Sequence, residues 1–560
     1  MCGIWQLLKR DTTHIDYYNA FKKIYPRGPD RMRLMEYQHP VNIVAGFHRL
    51  SIMDLSVKGD QPFTYEYCAG DRKKLIISLC NGEIYNYKYL IDEFKLTPKS
   101  GSDCEILPEL YFKLGIVNMM KVLRGEFAFI ISDIFIDTGD YTIYAGRDSF
   151  GIKPLFYTQT KEYINFSSEI KGLINVHNKN VSNNDIVNPI RAGYYMTVSK
   201  QDDYWLSPIF TRYFNIESIE INPMNNKDNI DQVKLNIRNN LIEAVSSRLM
   251  SDRPLGCLLS GGLDSSLVAS IASKLLKQKN PNNKLSTFSI GMDGSTDEKY
   301  ARLVAKHIDS NHTHIEFPEK DWLDAIHKVI YTTETFDITT IRASTGQYLI
   351  SKWIAENTNI KVLLIGDGSD ELTSGYLYFH KAPDAMACCE ENIRLLKDIS
   401  YFDVLRADRG VSGNGLEARV PYLDRQFTDY YLSICPELRC PINNMEKWLL
   451  REAFSGDWLP EEVLYRKKEA FSDGVSSKNK SWYRILQESI NDKYTDEELI
   501  KYQNNYKHCV PPNKEALYFR HIFEDNFGRN LDHLVPYYWL PKWCGNISEP
   551  SARVLVHYSE

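Results

Sequence analysis

The chain has 560 residues, of which 43% are hydrophobic and 25% charged, and its formal net charge is −6. This composition is typical of a globular protein with two or more domains, and it gives no electrostatic reason to expect a nucleic-acid partner. The sequence contains no secretory signal and no apolar run near the roughly 18 residues that cross a bilayer. Eleven scattered cysteines favour reduced thiols and a cytoplasmic location.

The first 190 residues are β-rich with short turns. Apolar segments predict strands over residues 75–80, 125–134 and 141–147. Asn81-Gly82 predicts a turn after the first of these strands, and residues 137–140 predict a turn between the other two.

After a polar stretch that predicts a linker, strands and helices alternate. The apolar pattern predicts helices over 233–249, 265–276, 297–308 and 322–334, and strands over 256–259, 285–290, 312–317 and 361–365. This alternation implies a parallel sheet covered on both faces, and ligands of such sheets bind beyond the carboxyl ends of the strands. Beyond about residue 380 the chain is predicted to be helical and aromatic-rich.

Cys2 is the first candidate functional residue. Removal of Met1 would leave Cys2 with a free α-amino group, which titrates near pH 8 and can accept the thiol proton. Pairing a nucleophile with an N-terminal amine is a known means of activation. A cysteine at position 2 by chance is the alternative.

The loop Ser260–Ser266 (SGGLDSS) lies between a predicted strand and a predicted helix. Its two glycines allow close backbone approach, and the helix N-terminus offers free N–H groups to a phosphate. The spacing and lysine of a Walker loop are absent. Asp264 is unexpected in an anion site unless it holds a magnesium ion.

A second acidic loop, 365–371, follows another predicted strand. Its Asp370 could meet Asp264 over one metal–nucleotide complex, whereas a solvated acidic turn is the alternative. The basic run 466–474 is a candidate for stabilising phosphate charge, with a surface charge cluster as its alternative.

Several longer motifs match a known family. The motifs Cys2–Ile4, Arg27–Asp30, Arg49–Ser51, Asn81–Asn86 and Gly101–Asp103 resemble a class II glutamine amidotransferase domain. The motifs Ser260–Ser266, Gly366–Glu371 and Lys468–Gly474 resemble an ATP-pyrophosphatase synthetase domain. In this order the chain resembles the glutamine-hydrolysing asparagine synthetases, and further matches are Thr339–Ser344, Gly375–Pro383, Glu417–Asp424 and the eukaryotic-type Tyr537–Trp543.

The resemblance implies two domains of mixed α/β and α+β class. Residues 2–190 are expected to form an αββα sandwich of the N-terminal-nucleophile type, followed by a linker over 191–230. Residues 231–545 are expected to form a doubly wound parallel-sheet α/β domain of the ATP-pyrophosphatase type with added helices, and 546–560 a C-terminal tail.

In the first domain the resemblance implies that Cys2 attacks the side-chain amide of glutamine. Asn81 and the Gly82 N–H are expected to form the oxyanion hole. Arg49 and Asp103 are expected to bind the carboxylate and amine of glutamine. The remaining glutamine-binding residues implied are Leu50, Ser51, Ile52, Met53 and Glu83.

In the second domain the resemblance implies that ATP activates aspartate as an aspartyl-adenylate. The expected ATP-binding residues are Leu258, Ser260, Gly261, Gly262, Asp264, Ser265, Ser266, Ile290, Ile365 and Gly366. Asp264 and Asp370 are expected to bind Mg²⁺, and Lys468 is expected to stabilise phosphate charge. Ile365 and Asp367 stand where the family has Ser and a catalytic Glu, which leaves the rate of this half-reaction open.

The implied ligands are glutamine, aspartate, ATP and Mg²⁺, with no nucleic-acid or membrane partner and a possible homodimer. Two rival interpretations remain. One is a related amidotransferase–ligase that makes another amide, and the other is a catalytically silent nucleotide-binding homologue.

Overall fold

The computed structural model describes residues 1–9, 16–38, 41–174, 187–201, 204–477, 480–545 and 547–551. Most of the expected tail, 546–560, therefore lies outside the described residues. Among the residues described, no helix is long and apolar enough to cross a membrane.

Two antiparallel sheets form the first domain. The first has the order β10-β8-β9-β1-β3-β2, with β1 (Gly3–Lys9), β2 (Arg31–Tyr37), β3 (Ile43–Arg49), β8 (Phe156–Gln159), β9 (Tyr163–Ser167) and β10 (Val187–Pro189). The second has the order β12-β11-β7-β6-β5-β4, with β13 paired to β11, and comprises β4 (Phe63–Ala69), β5 (Arg72–Ile84), β6 (Gly125–Phe135), β7 (Tyr141–Arg147), β11 (Tyr194–Gln201), β12 (Tyr204–Trp205) and β13 (Ile209–Arg212).

Alternating side chains of β5 enter two different apolar layers. Ile77 and Leu79 pack between the sheets, whereas Ile76 and Cys80 pack against α2 (Tyr87–Phe94) and α3 (Ile106–Val122). On the other side, Phe21 of α1 (Tyr18–Lys22) packs on Trp5 and Leu7 of β1. The layers are therefore helix, sheet, sheet and helix, which confirms the expected αββα sandwich.

The turn predicted at Asn81-Gly82 is wrong. β5 continues to Ile84, and Asn81 pairs with Ala128 and Gly82 with Phe127 of β6. Gly82 has φ +137°, and a Cβ there would lie 1.9 Å from the carbonyl oxygen of Glu126. Glycine is thus required by a close approach of two strands and not by a reversal of the chain.

The second domain contains a five-stranded parallel sheet of order β16-β15-β14-β17-β18. Its strands are β14 (Leu255–Leu258), β15 (Ser286–Gly291), β16 (Asn311–Glu316), β17 (Val362–Leu364) and β18 (Glu417–Arg419). The helices that precede or connect them are α4 (Ile230–Ser247), α5 (Leu263–Lys279), α6 (Thr296–His307), α7 (Glu319–Thr333), α8 (Ile338–Asn357), α9 (Ser369–Leu372), α10 (Ala385–Asp398) and α11 (Asp403–Ser412). The expected doubly wound domain is confirmed, because the strand order reverses direction at β14.

Further helices follow the sheet, as the sequence predicts. They are α12 (Arg425–Leu432), α13 (Pro436–Arg439), α14 (Trp448–Ala453), α15 (Glu461–Leu464), α16 (Phe471–Gly474), α17 (Trp482–Asn491), α18 (Asp496–Asn505) and α19 (Lys514–Phe527). Trp482 of α17 is fully buried and its ring lies 5.4 Å from that of Trp322 in α7, so these helices share the core of the sheet domain.

The range 191–230, expected to be a linker, is partly structured. β11 pairs with β7, and β13 pairs with β11 from Thr197 to Tyr194. β11 and β13 therefore belong to the second sheet of the sandwich and are not part of a linker. The polar composition near 222–229 precedes α4, where the second domain begins.

Candidate active sites

The N-terminus lies at one end of the sandwich. The backbone N–H of Cys2 donates to Asn81 Oδ1 at 3.0 Å, and the thiol lies 3.8 Å from the carbonyl oxygen of Leu50. Burial raises the pKa of the Cys2 thiol to about 11. A nearby base is therefore needed to form the thiolate at neutral pH.

The side chain of Asn81 is completely buried, and its amide nitrogen is an unused hydrogen-bond donor among the described residues. Its Nδ2 makes no hydrogen bond with the described residues, although its Oδ1 is held by Cys2. A buried amide without a partner is costly unless a ligand satisfies it. The donor is therefore suited to an oxyanion formed beside Cys2.

Arg49 is 3% exposed and holds the loop that follows it. Its Nη1 donates to Ser56 O and to Asp60 Oδ1, both at 2.6 Å, and its Nη2 donates to Met53 O at 3.3 Å and to Asp54 O. The expected contact with a glutamine carboxylate would need to replace some of these acceptors. That contact stays a prediction.

Asp103 and Glu83 form a buried acidic pair near the end of β5. Asp103 Oδ2 accepts from the Ile84 N–H at 2.6 Å, while burial, aided by the charge of Glu417, raises the pKa of Asp103 to about 6. Burial and the neighbouring charge of Asp103 raise the pKa of Glu83 as well. These groups can hold a substrate ammonium group only when they are ionised.

The second site is a cavity at the carboxyl ends of β14, β15 and β17. Eight of the ten expected ATP-binding residues line it, namely Leu258, Ser260, Gly262, Asp264, Ser265, Ile290, Ile365 and Gly366. Gly261 does not line it but has φ +76°, and a Cβ there would lie 2.4 Å from the Ala301 N in α6. Ser266 is fully buried in α5 and does not line the cavity either.

Two aspartates and two lysines meet in this cavity. Lys447 Nζ lies 2.6 Å from Oδ1 of Asp264 and 2.6 Å from Oδ1 of Asp370, and Lys468 Nζ lies 2.6 Å from Oδ2 of Asp370. Burial raises the pKa of Asp370, but the two ammonium groups outweigh burial and hold that pKa well below its usual range. The structure thus brings together Asp264, Asp370 and Lys468, as the sequence predicts.

Lys447 is the functional candidate that the sequence reasoning missed. It precedes α14 in the left-handed conformation, with φ 57°, and is 2% exposed. A lone lysine in a helical region carries no sequence signal for a phosphate site. Only the fold shows that its ammonium group lies between both carboxylates.

Asp367 occupies the same cavity beside a different cation. Arg406 forms ion pairs with Asp367 and, at 2.8 Å, with Asp403. Gln347 Nε2 lies 3.5 Å from Asp367 Oδ2. Burial raises the pKa of Asp367 despite the charge of Arg406.

The comparisons with known proteins match two families, one over each domain. A family described as "Glutamine amidotransferase domain" matches residues 1–207, and one described as "Asparagine synthase" matches residues 236–398 and 388–535. The asparagine synthetase [glutamine-hydrolyzing] of Gallus gallus is 42% identical over 570 residues, covering 100% of this chain and 99% of that protein. The Homo sapiens protein of the same name is 40% identical over 571 residues, with the same coverage.

The fold and the two family matches define an amidotransferase domain joined to a parallel-sheet synthetase domain. The sequence identity to each of these two proteins extends over all of this chain and 99% of the relative. It therefore covers both domains, in the same order along the chain. The chain belongs to the family of glutamine-hydrolysing asparagine synthetases.

Proposed function

We propose that the protein converts aspartate, glutamine, ATP and water to asparagine, glutamate, AMP and diphosphate. Full-length identity to curated asparagine synthetases is the observation that carries this proposal. The alternative of another amide product, or of a silent homologue, has no separate structural support.

Glutamine hydrolysis would begin at Cys2 after Met1 is removed. The freed α-amino group accepts the thiol proton, and the thiolate attacks the glutamine amide to give a thioester, while the amide nitrogen takes up that proton and leaves as ammonia. Water then hydrolyses the thioester, which releases glutamate and restores the Cys2 thiol. Asn81 Nδ2 and the Gly82 N–H would bind the oxyanion. Arg49 and Asp103 would hold the two charged ends of glutamine, and Leu50, Ser51, Ile52, Met53 and Glu83 would complete the pocket.

Aspartate activation would occur in the second cavity. The loop around Gly262 and Ser265 would bind the diphosphate portion of ATP, and Lys468 and Lys447 would neutralise the charge that develops on it. The aspartate β-carboxylate attacks the α-phosphorus, so that diphosphate leaves. Ammonia would then attack the resulting acyl-adenylate and expel AMP, and Asp367 is expected to act near the reacting carbonyl.

A magnesium ion fits the chemistry of the donors present. Asp264 and Asp370 would hold it, since two carboxylates together with substrate phosphates are a typical Mg²⁺ environment. When bound, the ion would neutralise charge on the phosphates. The lysines that now contact both carboxylates would then be free to reach phosphate oxygens.

We also infer a cytoplasmic location, because all eleven cysteines are free thiols. A homodimer remains an expectation of the resemblance, to be tested by sedimentation.

The decisive experiment is Cys2→Ala assayed with two nitrogen sources. Glutamine-dependent asparagine synthesis should disappear, and ammonium-dependent synthesis should survive. An N-terminal extension that blocks Met1 removal should have the same effect. Persistence of both activities in Cys2→Ala would contradict the nucleophile, and absence of asparagine with either source in the unmodified protein would contradict the overall reaction.

A further inference from the structure

Residues 547–551, which we call the strap, lie against the cavity at the carboxyl ends of β14, β15 and β17. Pro550 and Ser551 of the strap line that cavity, and both are buried. Ser548, in contrast, is exposed. The strap therefore separates part of the cavity from solvent.

Glu549 attaches the strap to one wall of the cavity. Its Oε1 lies 2.5 Å from Nη1 of Arg342, and its Oε2 lies 3.0 Å from Nη2 of the same guanidinium. Arg342 belongs to α8, is 3% exposed and lines the cavity. Gln487 of α17 also donates to Glu549 Oε2, at 2.7 Å. A bidentate pair of this kind fixes the orientation of the strap as well as attracting it.

Ser551 attaches the strap to a second wall. Its hydroxyl donates to Asp473 Oδ1 at 2.8 Å, and its backbone N–H donates to Glu549 Oε1 at 2.9 Å. Asp473 lies in α16, whose first residue, Phe471, lines the cavity. Since α16 follows Lys468 by only three residues, the strap connects α8 to the segment that carries this lysine.

The strap can be released without leaving an unpaired charge at Arg342. Glu515 of α19 also binds this guanidinium, with Oε1 2.8 Å from Nε and Oε2 2.6 Å from Nη2. If Glu549 leaves, Arg342 keeps one carboxylate, and Glu549 becomes hydrated. Polar contacts that water can replace contribute little net stability. The strap can therefore open for substrates to enter while the core of the domain stays intact.

We propose that the strap closes the synthetase cavity over bound ATP and aspartate, and that Glu549 and Ser551 are positioning residues which keep water away from the acyl-adenylate. This inference rests on the proposed function, because the intermediate that it protects belongs to that reaction. Exclusion of water is a general means of preventing the hydrolysis of reactive intermediates.

The reaction that closure prevents is hydrolysis of the mixed anhydride. Water would form a bond to the carbonyl carbon of the acyl-adenylate and break its bond to the phosphate oxygen. Aspartate and AMP would result, and both protons of the water would pass to solvent as the products ionise. The diphosphate released earlier would then have no asparagine to match it.

Loss of closure should therefore uncouple diphosphate release from asparagine formation. With ammonium as the nitrogen source, the unmodified protein should release about one diphosphate per asparagine, and Glu549→Ala should release about two or more, because water competes for the adenylate. Ser551→Ala cuts the other attachment and should shift the ratio in the same direction. Glu549→Gln keeps the size of the side chain and should give an intermediate ratio. Glu488→Ala, at an exposed position on α17, is the matched control and should keep the unmodified ratio.

Two other roles of Glu549 give different results. If the residue only stabilises the fold, Glu549→Ala should unfold at a lower temperature with the ratio unchanged. If it only competes with aspartate for the cavity, KM for aspartate should fall with the ratio unchanged. Either result would overturn the proposal, and so would an unchanged ratio in Ser551→Ala.

Hydrogen exchange tests the closure without reference to the product. The Ser551 N–H is bonded to Glu549, so its exchange reports the closed strap. A non-hydrolysable ATP analogue, Mg²⁺ and aspartate, added to the full-length protein, should slow exchange in the peptide spanning 547–551 by about tenfold. Glu549→Ala should lose this protection. Exchange that does not respond to the ligands would overturn the closure, whereas protection in a protein that makes no asparagine would support the closure and count only against the proposed function.

Discussion

The guanidinium of Arg27 lies 2.8 Å from the carboxylate of Asp408, and this buried pair joins the two domains. Arg27 precedes β2 in the sandwich, whereas Asp408 belongs to α11. The same guanidinium bonds Glu169 at 2.9 Å, and its Nε donates to the carbonyl of Cys2 at 3.1 Å. The backbone beside the proposed nucleophile is therefore fixed by a contact with the synthetase domain.

Asp408→Asn should destabilise this interface strongly. Removing one partner of a buried ion pair typically costs about 3–5 kcal/mol when the other charge is left unpaired, and the loss here is expected near the lower end of that range because Arg27 keeps its bond to Glu169. Urea unfolding followed by fluorescence would measure the loss. Asp137→Asn, at the exposed pair with Arg72, should cost no more than about 1 kcal/mol, and equal losses in the two variants would contradict the prediction.

Asn81→Ala should separate the two half-reactions. Loss of one oxyanion donor is expected to lower kcat for glutamine hydrolysis by about 10²–10³-fold. Ammonium-dependent asparagine synthesis should stay near the unmodified rate, because the second cavity is untouched. Asn118→Ala, an exposed position on α3, is the control, and a glutaminase rate in Asn81→Ala equal to that control would exclude the assigned role.

Lys447→Met should impair aspartate activation and leave glutamine hydrolysis intact, the reverse of the result expected for Asn81→Ala. The ammonium group that lies between Asp264 and Asp370 is lost, and diphosphate release from ATP and aspartate should fall by about 10²–10³-fold. Glutamine hydrolysis without ATP should continue. Lys299→Met removes an exposed lysine paired with Glu462 and should affect neither assay; diphosphate release that survives in Lys447→Met would show that the lysine only balances charge.

Local patterns predicted β14 and β17 because they are short apolar segments followed by loops with glycine and acidic residues, whereas the three-residue strand β18 (Glu417–Arg419) was not predicted. They failed at Asn81-Gly82, where a dipeptide typical of turns lies inside a long strand. The glycine is explained by Glu126 on β6, which is distant in sequence. Lys447 was missed for the same reason, since Asp264 lies 183 residues away and the contact exists only in the folded chain.

The raised pKa of Asp103 predicts that kcat/KM for glutamine hydrolysis falls at acidic pH. With a pKa of about 6, Asp103 is ionised at neutral pH and loses its charge as the pH falls through 6. Attraction for the substrate ammonium is then lost, so kcat/KM for glutamine should decline below pH 6. Stopped assays of glutamate release between pH 5 and 8 would measure this, and a profile that stays flat through pH 6 would contradict it.

Asp367 provides the sharpest test of the synthetase half, because the resemblance leads one to expect glutamate at this position. Its carboxylate pairs with Arg406 inside the cavity at the carboxyl ends of β14, β15 and β17, so Asp367→Asn should remove the charge and one of the two ion pairs that position that arginine. Ammonium-dependent asparagine formation is expected to fall by about 100-fold, the scale of small misplacements in active sites. Glutamine hydrolysis without ATP should not change.

The conservative variant Asp367→Glu should retain ammonium-dependent synthesis within about tenfold, since it keeps the charge that pairs with Arg406 and lengthens the reach by one methylene. Asp324→Asn, at an exposed pair with Lys320, controls for the loss of a carboxylate elsewhere on the domain. Product formation would be followed as AMP and asparagine together. Unmodified rates in Asp367→Asn would mean that this carboxylate only neutralises Arg406 and takes no part in amide formation.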